Sequence, residues 1–134
     1  MGAWLTGVVT HPAFLVGLGG ALGSNARYWL GLWFRTQPWT TSFHWGTFTI
    51  NVSGSLLLGI VAVLFRDRAG SGFLLLGTGF CGGYTTFSTF SLEVTEALRA
   101  GRWDIAAAYV FSSVAAGFLA FAIAYSMTAA ARGE

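Results

Sequence analysis

Four stretches of about twenty mostly apolar residues, joined by short linkers, fix what this chain can fold into. They run from about Ala13 to Phe34, Phe43 to Phe65, Gly72 to Leu98 and Trp103 to Met127. A helix of about 20 apolar residues is the length that crosses a bilayer's hydrocarbon core. A chain of 134 residues has a high surface-to-volume ratio and, in water, needs many polar residues at its surface. Only 9% of these residues are charged, against about 25% in a typical soluble domain, and the mean hydropathy is +0.64. A free-standing soluble enzyme and a disordered tail are both excluded. The expected fold is an all-α membrane protein, one domain over residues 1–134, with four transmembrane helices. The linkers Arg35–Trp39, Arg66–Ser71 and Arg99–Arg102 leave no room for an extramembrane domain. Trp4, Trp33, Trp39, Trp45 and Trp103 lie near span ends, where amphipathic rings favour the interface. Residues 1–11 carry no Lys or Arg and the first span is longer than a signal core, so it is expected to stay in the mature protein. No internal repeat is evident.

Several familiar chemistries fail on these residues. The seven basic residues are all arginines, scattered singly or in pairs, so nucleic-acid binding has little support. Cys81 is the single cysteine and can form neither an intrachain disulfide nor a cysteine-based zinc site. Gly77-x-Gly79-x-x-Gly82 matches a dinucleotide fingerprint literally but lies within an apolar span, without the strand and helix that motif requires. His11 and His44 are far apart, lack transition-metal ligand spacing and adjoin no candidate nucleophile. Catalysis is not expected.

The arginines also bear on topology. With the amino terminus inside, Arg66, Arg68 and Arg132 fall on one side and Arg35, Arg99 and Arg102 on the other. The positive-inside rule therefore gives no orientation. Either other features decide, or the chain inserts both ways and two opposed copies form an antiparallel dimer, a two-chain version of a transporter's inverted repeat. Four helices enclose little interior for a polar pathway, so assembly is expected in both cases. The pairs Gly19 and Gly23, Gly79 and Gly83, Ser55 and Gly59, and Ser113 and Gly117 are each four residues apart, which suits close helix packing.

Polar residues inside the spans are the candidates for function. Arg27 lies about 12 Å along the helix from Arg35. A charge there is costly; it is either a structural clamp on a carbonyl or Glu93, or a fixed positive charge that attracts anions. Asn51, flanked by Thr47, Thr49, Ser53 and Ser55, has two amide donors that could solvate an anion or bond to another helix. The third span reads GTGFCGGYTTFSTFS from Gly77 to Ser91, with adjacent glycines and a dense hydroxyl run at mid-membrane depth. A broken helix there is tolerated only where it is buried in protein or lines a cavity. Its freed carbonyls suit a cation, and the amides opening its second half suit an anion. Phe87 and Phe90 share a helix face, either as plain packing or as rings whose positive edges meet an anion. Tyr109 and Ser113 also share a face, with Ser112 beside them. Glu96 can pair with Arg99, and Glu93, if deep, needs Arg27 or a hydroxyl partner.

Gly82-Gly83-Tyr84-Thr85-Thr86-Phe87-Ser88-Thr89-Phe90-Ser91-Leu92-Glu93 resembles the signature of the CrcB/Fluc fluoride channels. Gly19–Gly23 with Arg27-Tyr28, Gly46-Thr47 with Asn51 and Gly54-Ser55, and Tyr109-Val110 with Ser113 and Gly117 resemble that family's other helices in order. The resemblance covers all four spans. It implies a dual-topology antiparallel homodimer in the bacterial cytoplasmic (inner) membrane, with two fluoride pathways and a broken third helix. It further implies a structural sodium ion on the backbone carbonyls of Gly82 and Thr85 of both subunits. The pathway residues it implies are Asn51, Phe87, Phe90, Tyr109 and Ser113, with Ser88 and Thr89 as hydroxyl contributors and Arg27 as the vestibule charge. Fluoride leaves the cytoplasm passively in such a channel. Two departures stand out: His44-Trp45 precedes Gly46, where relatives often have proline, and Asn25 replaces a small apolar residue.

Two rivals remain. A proton-coupled small multidrug exporter is also a four-span dual-topology dimer, but it needs a membrane carboxylate, and the first span carries Arg27 and no Asp or Glu. A non-transporting scaffold subunit leaves the hydroxyl-rich third span unexplained.

Overall fold

A computed structural model describes residues 11–39 and 43–134; Trp4 lies outside them. Helix α1 (Pro12–Arg35) is started by His11, whose Nδ1 accepts the Ala13 N–H at 3.3 Å. Pro12 takes the first turn, where a missing N–H costs nothing. The Thr36 hydroxyl donates to the Trp33 carbonyl at 2.7 Å and helps close the helix. Helix α2 (Trp45–Leu64) follows and ends as Phe65 leaves helical geometry.

The third segment is divided. Helix α3 (Ser71–Phe73), a π-helical stretch Leu74–Cys81 and helix α4 (Gly82–Tyr84) run on without a gap. Thr85 and Thr86 then adopt extended backbone, and helix α5 (Phe87–Arg99) starts afresh. Helical geometry runs through the adjacent glycines and fails at Thr85, two residues past Gly83. Gly101, at φ 73°, turns the chain through a left-handed conformation open to glycine, and helix α6 (Trp103–Ala131) completes the fold.

Two tight seams hold these elements together. α1 packs on the π-helical stretch and α4, and α2 packs on α6. A Cβ on Gly19 would meet the Leu75 carbonyl and, at 2.8 Å, the Phe80 nitrogen; one on Gly23 would meet the Phe80 carbonyl and, at 2.8 Å, the Tyr84 nitrogen. Backbone thus lies directly on backbone. Gly59 does the same in the second seam, 2.6 Å from the Phe121 carbonyl, whereas Gly117 has ordinary room, with Ser55 Oγ 3.5 Å away. The spaced glycines therefore fall on the two seams. At the far end of the second, Arg66 pairs with Glu134, which also faces Arg132 Nε at 3.6 Å.

Among the described residues two helices, α2 and α6, are long and apolar enough to cross a membrane, each with mean hydropathy 1.9. α1 has the length, at 24 residues, but Asn25 and Arg27 interrupt its apolar run. In the third segment the interruption at Thr85–Thr86 leaves both parts short. α6 exposes Phe111, Phe118, Leu119, Ile123 and Met127. A contiguous apolar surface of this extent calls for lipid or another protein. Trp33, Trp45 and Trp103 are exposed at helix ends, and Trp39 is exposed in the linker after α1.

Candidate functional site

The interruption at Thr85–Thr86 frees backbone groups that a helix would satisfy. In a membrane each of them needs a partner from the protein. Asn51 of α2 supplies two bonds at once. Its Oδ1 accepts the Thr86 N–H at 2.8 Å, and its Nδ2 donates to the Thr86 carbonyl at 3.1 Å. Arg27 of α1 donates to the Thr85 carbonyl at 3.2 Å, and Ser24 donates to the Gly83 carbonyl at 3.3 Å. The Thr85 N–H and hydroxyl both return to the Cys81 carbonyl, at 3.0 and 2.9 Å.

Thr86 then opens α5. Its Oγ1 accepts the Thr89 N–H at 3.2 Å, donates to the Thr89 hydroxyl at 3.0 Å and lies 3.2 Å from Ser88 Oγ. This is an N-cap of the kind threonine favours. Ser88 and Thr89, two expected pathway hydroxyls, are thus tied to a third hydroxyl that the sequence reading did not single out.

The Gly82 carbonyl is left open by this arrangement. The Thr86 N–H would close the next helical turn onto Gly82, but it goes to Asn51. Gly82 is exposed, and a Cβ there would meet nothing within 4 Å. An open backbone carbonyl on an exposed residue is the donor type that suits a hard cation such as sodium. Thr85 fits less simply, because one lone pair already serves Arg27; a carbonyl has a second. These two oxygens alone cannot surround a cation, so such a site needs further ligands.

A cavity lies on each side of the interruption. The first, of about 400 Å³, is lined by Asn51, Thr78, Gly82, Thr85, Phe87, Phe90 and Ser113 among others. The rings of Phe87 and Phe90 are 5.7 Å apart, centroid to centroid, and Phe87 is 79% exposed. Ser113 Oγ is buried there with no hydrogen-bond partner. Six of the ten residues expected at the site share this cavity.

The second cavity, of about 460 Å³, is lined by Arg27, Arg35, His44, Thr47, Thr86, Thr89 and Glu93 among others. Glu93 accepts the Thr47 hydroxyl at 2.8 Å and the Tyr109 hydroxyl at 2.6 Å, and its Oε1 lies 3.7 Å from His44 Nδ1. Of the two partner types expected for Glu93, hydroxyls take the place and Arg27 does not. Tyr109 is fully buried between the cavities, its ring 5.1 Å from Phe90 and 5.2 Å from His44. Thr47 and His44 were not among the expected site residues. They lie 46 and 49 positions before Glu93, beyond the reach of local spacing. Among the described residues Glu96 forms no ion pair with Arg99.

Residues 14–125 match the protein family described as CrcB-like protein, Camphor Resistance (CrcB). The chain is also similar to proteins named fluoride-specific ion channel FluC. It is 44% identical over 109 residues to the one from Chlorobium chlorochromatii (strain CaD3), covering 79% of this chain and 83% of that protein. The one from Nitrobacter winogradskyi is 50% identical over 103 residues, covering 74% and 80% respectively. A third, FluC 1 of Symbiobacterium thermophilum, is 43% identical over 106 residues, covering 77% and 84%.

Proposed function

We propose a function from one premise: the chain belongs to the CrcB-like family. It is a membrane transport protein, not an enzyme, and the ion it carries is fluoride. The relatives' shared name supports that ion. The observation that carries the reading is the first cavity, where Asn51, Phe87, Phe90 and Ser113 converge beside the interruption in the third segment.

The chemistry suits a small, strongly hydrated anion. Losing water at mid-membrane depth requires donors placed in sequence. Arg27 supplies fixed positive charge at the second cavity while its bond to Thr85 holds it in place. Asn51 has one amide N–H beyond the one given to Thr86, and that donor replaces part of the hydration shell. The Phe87 and Phe90 edges, which carry the positive end of the ring quadrupole, bridge the apolar stretch. The unpartnered Ser113 hydroxyl is the next donor. Weak contacts at several sites allow both entry and exit, as conduction requires. Tyr109 acts from behind by seating Phe90 and binding Glu93; Ser88 and Thr89 act through Thr86.

The assembly in this reading is an antiparallel homodimer in the bacterial inner membrane, with four helical spans per subunit and two pores. The three-to-three split of the arginines outside the spans and the exposed apolar face of α6 support it. A sodium ion would be held by the Gly82 and Thr85 carbonyls of both subunits and would add positive potential beside the pores. An exporter of cationic drugs is disfavoured, because Glu93, the carboxylate placed among the spans, is already engaged by Thr47, Tyr109 and His44.

The test is ion efflux from liposomes holding only the purified protein, read with fluoride and chloride electrodes. Fast fluoride release without chloride release is expected. No fluoride release from folded protein in sodium-containing buffer would overturn the reading.

A further inference from the structure

His44 lies just before α2, and its surroundings give it a role. Its Nδ1 lies 3.7 Å from Glu93 Oε1, and its ring rests on Tyr109 at 5.2 Å. Its other nitrogen, Nε2, is buried without a hydrogen-bond partner. The side chain as a whole is 26% exposed and lines the second cavity. Each element packed around it presents a group that matters to its charge. α1 brings Arg27, Arg35 and Tyr28 to the same cavity, α5 brings Glu93 and α6 brings Tyr109. Of these, only Glu93 is both close and opposite in sign to a protonated imidazole.

We propose that His44 is a positioning residue that sets the charge of the Glu93 cluster, and so makes fluoride flux rise as pH falls. The proposal rests on the fluoride reading. With His44 neutral, Glu93 places an uncompensated negative charge on the wall of the cavity through which an anion enters. It opposes the attraction of Arg27 and Arg35. Imidazole is the side chain whose ordinary titration falls between about pH 5 and 8. Protonation of His44 turns the Nδ1 contact into an ion pair and cancels the Glu93 charge, leaving the arginines unopposed. Thr47 and Tyr109 keep the carboxylate fixed while this happens, since both donate to it irrespective of His44. One unit charge several ångströms from a partly solvated path changes local anion concentration about threefold.

The experiment is the liposome efflux assay at symmetric pH from about 8 to about 5.5, the window in which imidazole titrates. Protein-free vesicles at each pH give the leak of the neutral acid to be subtracted. The wild-type rate is expected to rise about threefold across the range, and the rise is expected to vanish in His44→Gln and in His44→Asn, whatever their absolute rates. A second measurement needs no variant at this site. In the full-length protein carrying His11→Gln, the remaining imidazole, followed by nitrogen-15 NMR in nanodiscs, is expected to titrate in the same window as the flux. A flat wild-type profile overturns the proposal. So does a rise that persists in His44→Gln, which would assign the titration to Glu93 itself, and so does an imidazole that titrates outside the flux window. No fluoride flux at any pH would instead overturn the fluoride reading, and this proposal with it.

Discussion

The two cavities flanking Thr85–Thr86 differ in their linings: the second carries Arg27, Arg35, His44 and Glu93, and the first carries amide, hydroxyl and aromatic side chains with no charged group. Around the second, most polar side chains are paired: Glu93 with Thr47 and Tyr109, Arg27 with the Thr85 carbonyl, Thr89 with Thr86, with His44 Nε2 the exception. Around the first, polar atoms are left open: the Gly82 carbonyl, the Ser113 hydroxyl and one N–H of Asn51. Paired groups hold a shape, and open groups beside aromatic rings are available to an ion. In the fluoride reading the difference teaches that satisfaction of hydrogen bonds, rather than polarity itself, separates a charged entry of fixed shape from the open stretch where the ion is held. Asn51 belongs to both, because one amide serves the Thr86 backbone and still keeps a donor.

The strongest way to break this contrast is to remove the residue that both sides share. Asn51→Ala leaves the Thr86 N–H and carbonyl without partners, at a cost of about 3 kcal/mol. Thermal unfolding in detergent should show the loss, together with loss of ion flux. Asn51→Asp keeps the acceptor for the Thr86 N–H and should fall between Asn51→Ala and wild type.

A comparable effect is expected at the first seam. Gly23→Ala sets a methyl against the Phe80 carbonyl and the Tyr84 nitrogen, both of them backbone. Overpacking of this kind costs about 1–3 kcal/mol. Gly117→Ala, which meets only Ser55 Oγ at 3.5 Å, should leave the unfolding midpoint unchanged, and the pair of variants sharpens the claim about where backbone touches backbone.

Glu93→Gln tests the paired side alone. It keeps one carbonyl acceptor but loses the charge that strengthens the bonds from Thr47 and Tyr109, for about 1–2 kcal/mol in the same unfolding assay. The smallest stability change is expected on the open side. Phe87 is largely exposed, so Phe87→Ile should shift stability by no more than about 0.5 kcal/mol.

Particular residues mark what the sequence could tell. The apolar spans, the spaced glycines and the hydroxyl-rich segment are local patterns, and they lead to the seams and to the interruption. The place of that interruption was less readable. Adjacent glycines suggest that a helix yields at Gly82–Gly83, yet Gly83 serves close packing against Gly20, where a Cβ would lie 2.9 Å from Cα. The helix yields instead at Thr85–Thr86, where the Thr85 hydroxyl returns to Cys81 and the Asn51 side chain outcompetes the Gly82 carbonyl for the Thr86 N–H. A competitor 35 residues away leaves no mark in local spacing. The Glu93 cluster was hidden for the same reason: Thr47 and Tyr109 lie 46 and 16 positions from it.

The central claim is that fluoride passes along the open side, over Phe87. The most direct measurement is fluoride efflux from liposomes for wild type and Phe87→Ile, each first confirmed to have the same unfolding midpoint. The account predicts rapid efflux from wild type and a loss of at least about tenfold in the variant, with the fold intact. Equal efflux from the two proteins would contradict it and place the ion's path elsewhere.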